Sequence, residues 1–413
     1  FFCDLCLFIS MKIFKHIGPA TLVTAAFIGP GTVSVCALAG IDHGYSLIWV
    51  MIISLVMTVF LQELAARLSI IYQKDLTELI VDQLDKNKLL RYFITSLIFL
   101  AIVLGNTAYE AGNLSGVNIG LQILSYDDYF ISILGAKLNY AIIIITGIAF
   151  IILNLKSYKL IERTLMILVG VLSLSFIVLA FLTTKDINVV FQGIFTPNIP
   201  DEDILIIAAL IGTTVVPYNL FLHSSLAQQK WSSRLEIKSM RIDTFVAVIL
   251  CVLVSISIII TTANISDQLN NVNNLGIALE PILGQFSSYL MGIGFITAGL
   301  TSAITAPLAA AYVINKLFRL NHKPDSFAFK RLSYLILLIG GVVAALDFNP
   351  VEVIKLAQVS NAIFLPIIVF IIIGLKYEID NRKLSSSAYQ ILNFLVFGLS
   401  LLLSIAAFYN VFG

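Results

Sequence analysis

The sequence predicts an all-α polytopic membrane protein, with two inverted five-helix repeats followed by one further helix. Three observations lead there. First, the 413 residues are 59% hydrophobic and only 12% charged, about half the charged share of a soluble domain, and the mean hydropathy is +0.98. Second, eleven apolar runs are separated by short charged or turn-rich connections, the pattern of successive membrane spans. Third, the first and sixth runs are interrupted near their middles by proline, at Gly29-Pro30-Gly31 and at Val216-Pro217-Tyr218.

The spans run, in order, over 17–40, 45–71, 92–123, 139–155, 161–183, 204–227, 242–263, 277–315, 332–347, 352–375 and 387–411. The eighth is long enough to extend beyond the membrane on one side. Residues 1–10 precede Met11-Lys12-Ile13-Phe14-Lys15, which reads as a natural start, so 1–10 are expected to be upstream or non-native sequence. Cys3 and Cys6 within it form a lone C-x-x-C, too little for a metal site. Cys36 and Cys251 fall inside spans and read as packing residues.

Basic residues orient the chain. Lys12, Lys15, and the Lys and Arg after spans two, four, six, eight and ten place twenty-one of the twenty-five basic residues on one side; Lys137, Lys185 and Lys355 lie on the other. The positive-inside rule then puts the N-terminus in the cytoplasm and the C-terminus outside. The two interrupted spans are five crossings apart and run in opposite directions. Residues 11–183 and 204–375 are therefore expected to be inverted repeats, with 387–411 an eleventh helix. Interrupted spans in matching positions of inverted halves mark the substrate site of a carrier at mid-membrane.

Each break frees backbone groups that lipid cannot satisfy. Carbonyls are expected free around Ala26, Phe27 and Ile28 and around Thr213 and Thr214, and N–H groups around Gly31, Thr32 and Asn219. The candidate substrate-binding residues are Ala26, Gly29, Gly31, Thr32, Thr213, Val216, Tyr218 and Asn219, joined from span ten by Gln358 and Asn361. For a metal, the ligands on offer are the carbonyls of Ala26 and Thr213 and the hydroxyl of Thr32. No carboxylate or thioether stands at either break. Soft metals favour imidazole or sulfur, and Mg²⁺ usually takes at least one carboxylate, so this donor set suits a zwitterion or neutral polar solute at least as well.

Buried charge adds one candidate. Glu110 lies deep in span three, where a carboxyl is a functional residue by default; its plain structural reading is a pair with Arg67 or satisfaction by neighbouring amides. Glu63 and Arg67 share a helix face and read as structural. Glu280 reads as a helix-end residue, Arg241 and Asp243 as interfacial, and His223 as a packing or interface residue. The four histidines do not cluster, and no phosphate loop, nucleotide fingerprint or basic nucleic-acid patch occurs. The chain is thus expected to be no enzyme, to need no cofactor beyond a transported metal ion or proton, and to have the bilayer and a small substrate as partners, with no nucleic acid or nucleotide. Its place is expected to be a bacterial inner membrane.

Several stretches together resemble one family. Gly18-Pro19-Ala20 and Ala25-Ala26-Phe27-Ile28-Gly29-Pro30-Gly31-Thr32, Gln62-Glu63-Leu64-Ala65-Ala66-Arg67-Leu68 with Lys74-Asp75-Leu76, and Gly212-Thr213-Thr214-Val215-Val216-Pro217-Tyr218-Asn219-Leu220-Phe221-Leu222-His223-Ser224 are similar to Nramp (natural-resistance-associated macrophage) proteins. So are Leu279-Glu280-Pro281, Ala298-Gly299-Leu300-Thr301-Ser302, and Ala357-Gln358-Val359 with Leu365-Pro366. The resemblance implies a leucine-transporter fold and proton-coupled uptake of a divalent metal such as Mn²⁺ or Fe²⁺, with Glu110 at the family's acidic proton-passage position. It also exposes departures. The family's Asp-Pro-Gly-Asn has Gly29 for Asp and Thr32 for Asn, and its Met-Pro-His has Val216 for Met and Tyr218 for His. In the family the Asp, Asn and Met bind metal and the His is tied to proton movement. Kinship therefore predicts metal transport, while the alternatives are a carrier of amino acids or similar small solutes, and a non-transporting sensor or partner protein.

Overall fold

The structure, a computed structural model, describes residues 28–412 apart from 86, 126–128, 134, 156–158, 200–202, 266–273, 279, 321, 324–325 and 380–386. Residues 1–10 with their C-x-x-C, the first half of span one and Ala26 lie outside the described residues.

The predicted spans appear as helices. The second half of span one is α1 (Pro30–His43), and span two is α2 (Ile48–Tyr72). A short helix, α3 (Leu76–Leu84), follows, capped by the Asp75 side chain accepting from the Glu78 N–H, the usual work of an Asp before a first turn. Span three is α4 (Lys88–Ser125), the longest element at 38 residues. A hairpin of β1 (Phe130–Ile133) and β2 (Ala136–Asn139), with Ile133 opposite Ala136 and Gly135 at positive φ, leads to α5 (Tyr140–Asn154). Next come α6 (Lys159–Thr183), a short α7 (Ile187–Phe195), α8 (Ile204–Thr214), α9 (Pro217–Lys230) and α10 (Ile237–Asn264). The expected eighth run is not one helix. Two single turns, α11 (Leu275–Ala278) and α12 (Glu280–Leu283), precede Gly284, whose φ of 61° turns the chain into α13 (Phe286–Leu317). α14 (Phe327–Ala345), α15 (Pro350–Ile379) and α16 (Ser387–Phe412) complete the chain.

Among the described residues, nine spans are long and apolar enough to cross a membrane, counting Ile204–Lys230 as one; α5 is a shorter apolar helix. The interrupted sixth span is the interior one. Of its most apolar stretch 89% is buried, against 28% for Arg163–Thr183 and for Gln390–Val411, which face outward.

α4 is the central post, packed against α13, α14 and α15. Lipid supplies no hydrophobic drive between helices, so close packing at small residues holds them. A Cβ at Gly112 would stand 3.0 Å from that of Ala357 on α15, and a Cβ at Gly120 would stand 2.6 Å from the Gly292 carbonyl oxygen on α13.

On the side that the loop charges predict to be cytoplasmic, α3 is tied to the end of α13. Lys316 pairs with Asp75 and, at 2.9 Å, with Glu78; Arg319 pairs with Asp82 (2.9 Å) and Asp85 (2.6 Å). Lys74 and Arg91 add pairs to Asp82 and Asp85, both 2.6 Å. Burial pushes the Asp75 carboxyl above the usual range, against the pull of the Lys316 ammonium. The Arg319 bond holds Asp85 below it.

Glu63 and Arg67 do pair along α2 (3.3 Å), and Arg241 joins Glu63 at 2.8 Å. Asp243 departs from the interfacial reading: α10 begins six residues earlier, and Asp243 is buried in its second turn. Glu280 is exposed on α12. Cys36 and Cys251 are buried free thiols, as packing residues should be.

Candidate functional site

The two breaks share one local construction. Both second halves begin on proline, whose fixed φ suits the first helical position and whose absent N–H is no loss there. Gly29 before Pro30 is extended (φ −98°, ψ −179°), as is Val216 before Pro217 (φ −90°, ψ 122°), and neither is capped by a side chain. Extended backbone before proline is the expected result of the clash with its ring. At the second break the proline has a further effect. Pro217 is four residues after Thr213 and has no N–H, so the Thr213 carbonyl loses its helical donor.

α15 brings the two breaks together. Its Gln358 side chain lies over Gly31: a Cβ there would stand 2.7 Å from the Gln358 Cδ. The Gln358 main chain passes so close to Gly212 on α8 that an added Cβ would stand 2.8 Å from its carbonyl carbon. One turn on, the Asn361 amide donates to the Gly212 carbonyl (3.2 Å) and sits 3.3 Å from Gln358 Oε1. Glycine is required at 31 and 212 by this close approach. Pro30 in turn packs directly on Gly116 of α4.

The predicted residues divide into two groups. Gly29, Gly31, Thr32 and Gln358 are buried around the first break, and Asn361 is buried beside Gly212. Val216, Tyr218 and Asn219 are buried at the second. Thr213 differs in detail. Its hydroxyl donates to the Leu210 carbonyl at 2.6 Å, so it can only accept, as its carbonyl does. The Thr214 hydroxyl bonds to Ser54 of α2 and also lies 3.2 Å from the Ile211 carbonyl. Ala26 lies outside the described residues.

Two residues that the sequence reading passed over stand at the centre. A Cβ on Gly29 would point at the Ser302 hydroxyl of α13, 3.0 Å away, and the Tyr109 hydroxyl of α4, 3.5 Å away. The Tyr109 ring meets Tyr218 edge to face, with centroids 5.6 Å apart. The Tyr218 hydroxyl and the Asn219 amide are fully enclosed, and the Tyr218 hydroxyl stands in hydrogen-bonding contact with Tyr109 and Asn219. No signal in the sequence joins positions 29, 109 and 302; only the fold does.

Glu110 is completely buried, with the Asn113 amide, one turn on, beside its carboxyl. Its stem packs on Gly340 of α14, whose added Cβ would stand 2.7 Å from Glu110 Cβ. It therefore occupies the α4 face next to Tyr109's, turned toward α14. The pairing with Arg67 is not made; Arg67 is engaged by Glu63. His223 is fully buried on α9, and neither ring nitrogen has a partner among the described residues. That is packing in location, at an interior position and not at an interface.

No cluster of three His, Cys, Asp or Glu able to hold a metal occurs among the described residues. The breaks instead offer neutral oxygen and amide groups together with the negative end of the α8 dipole.

The chain breaks before Pro30 and between α8 and α9 at Pro217, and α15 touches it at both places. A family model described as "Natural resistance-associated macrophage protein-like" matches residues 20–410, and the chain belongs to this Nramp family. Among its curated relatives, the divalent metal cation transporter MntH of Caldanaerobacter subterraneus is 26% identical over 385 residues, covering 90% of this chain and 86% of that one. MntH of Yersinia pestis is 26% identical over 392 residues, covering 92% and 91%. Among solved structures, the manganese transporter of Eremococcus coleocola, in complex with an aromatic bis-isothiourea compound, superposes with a TM-score of 0.74 at 19% identity. It covers 98% of this chain and 89% of that one. Mhp1, a nucleobase-cation-symport-1 family transporter, follows at 0.55 and 15% identity, covering 96% and 92%. The all-α membrane fold and the family expected from the sequence are thereby established.

Proposed function

We propose that this chain is a secondary active transporter that carries a divalent metal ion across the membrane, with the substrate held between Gly29–Thr32 and Thr213–Asn219. The observation that carries the reading is the meeting of both proline breaks on Gln358 and Asn361, beside a Thr213 carbonyl left without its helical donor by Pro217. The curated relatives' names supply the substrate class, divalent metal. Glu110 is the group assigned to proton coupling, because it is an enclosed carboxyl one residue from Tyr109. No observation in the structure favours an organic solute over a metal.

Flux into proteoliposomes loaded with a metal indicator tests this. Saturable entry of Mn²⁺ or Mg²⁺, accelerated by an inward proton gradient, is the expected result. Absence of entry for both ions refutes the metal reading.

A further inference from the structure

α2 and α16 both pack on α8, the first half of the interrupted sixth span. Between them runs a groove of about 230 Å³. Its walls are Ile52, Ile53, Val56 and Met57 on α2, and three leucines and a valine on two turns of α16, from Leu392 to Leu399. No polar side chain lines it. Both walls lie within membrane-crossing stretches, and the groove opens onto the outward face of the bundle, where Val56 is 48% and Leu395 62% exposed. Water needs two to four polar partners, and an apolar cavity of about 150 Å³ already stays dry and takes an apolar guest. A helix with its side chains is about 10–12 Å across, too broad to enter. The α16 wall is about 10 Å long. A hydrocarbon chain fits that length, and the bilayer next to the opening supplies it.

We propose that this groove binds one acyl chain of a membrane phospholipid, and that the bound chain acts as a wedge behind the second helix break. The second half of the proposal rests on Ser54. It follows Ile53 on α2, is fully buried, and bonds through its hydroxyl to Thr214, the last residue of α8. One short stretch of α2 therefore faces the groove on one side and the break on the other. With no polar atom in the walls, the site recognises the chain and not the headgroup. A lipid tail gains no hydrophobic energy by leaving other tails, so retention comes from the fit of the chain between two helices. The site is separate from the one between the breaks, and it stands whichever solute the carrier moves.

The protein is reconstituted into phosphatidylcholine vesicles containing phosphatidylcholine with a diazirine midway along one chain. It is then moved into detergent to dilute free lipid, photolysed, and its adducts are mapped by mass spectrometry. Leu174 on α6 is the control for bulk lipid, since it is 62% exposed like Leu395. Adducts over residues 52–57 and 392–399 are expected at least fivefold above those at Leu174. Val56→Trp fills the groove from a half-exposed position and should cut them at least fivefold, whereas Leu174→Trp should leave them unchanged; melting temperatures report that both variants fold. Phosphatidylcholine added back to delipidated protein should slow amide exchange over residues 215–219 in wild type and Leu174→Trp but not in Val56→Trp. Equal labelling at Leu174, or adducts undiminished in Val56→Trp, would overturn the site. A dimer that carries no lipid in native mass spectrometry would seat a second copy in the groove and overturn it as well. Exchange at the break that ignores lipid in wild type would overturn the wedge.

Discussion

Gly212→Ala gives the sharpest test of how α8 is held against α15. The added methyl would overlap the Gln358 carbonyl oxygen and stand 2.8 Å from its carbon, against about 3.5–4.0 Å for an unstrained contact. The obstacle is backbone on both sides, so the helices must part by roughly 1 Å. Overpacking of this kind costs about 1–3 kcal/mol. Parting them also stretches the Asn361 bond to the Gly212 carbonyl, now 3.2 Å, and losing it costs about 0.5–1.5 kcal/mol. Alanine's better helix propensity offsets up to ~1 kcal/mol. The net expectation is a loss of about 1–3 kcal/mol. The matched control is Gly374→Ala in α15, where nothing lies within 4 Å of an added Cβ; it should be neutral or slightly stabilising. Both are compared by thermal unfolding in detergent, followed by size exclusion, and by metal flux. If Gly212→Ala melts at or above Gly374→Ala and transports normally, the close approach of α8 and α15 is not what holds the breaks together.

Gly31→Ala meets the Gln358 side-chain amide and not its backbone, so it should lose less stability than Gly212→Ala; equal losses in the same melting assay would count against that distinction. Lys316→Met leaves the nearly buried Asp75 without its ammonium partner and should cost about 1–3 kcal/mol, much of it recovered in Asp75→Asn/Lys316→Met; a double variant no better than the single would refute the pairing. Because the Asp75 carboxyl is raised in the folded protein, the folded state holds its proton at pH values where the unfolded chain has lost it. The contribution is therefore present below the unfolded pKa and is lost as pH rises through the folded one, so Asp75→Asn should flatten the fall in melting temperature across that acidic window. Glu110→Gln should abolish acid-driven flux while leaving metal counterflow, and flux that still responds to the proton gradient would remove Glu110 from coupling.

The spans and both breaks were readable because each depends on local chemistry: apolar runs set by bilayer thickness, and prolines that no helix interior accepts. The loop charges then related the breaks to each other. What escaped was decided by neighbours distant in sequence. Gly284 ends a run that composition alone extends without interruption, because the turn there needs a positive φ. Asp243 reads as a boundary residue until α10 is seen to start at Ile237. Glu110 was legible as a buried acid, but which helix it faces depends on Gly340, 230 residues further on. Most tellingly, the absent carboxylate at Gly29 was visible in the sequence, whereas the hydroxyls occupying its place come from positions 109 and 302 and converge only in the folded bundle.

Gln358 touches the first repeat through its amide and the second through its main chain. The two halves are consequently not free to report on the substrate independently. One residue of α15 thus bears on the chain at both of the paired breaks. The same halves are also tied by ion pairs, Lys316 to Asp75 and Arg319 to Asp82 and Asp85, so the Gln358 contact is one link among several between them.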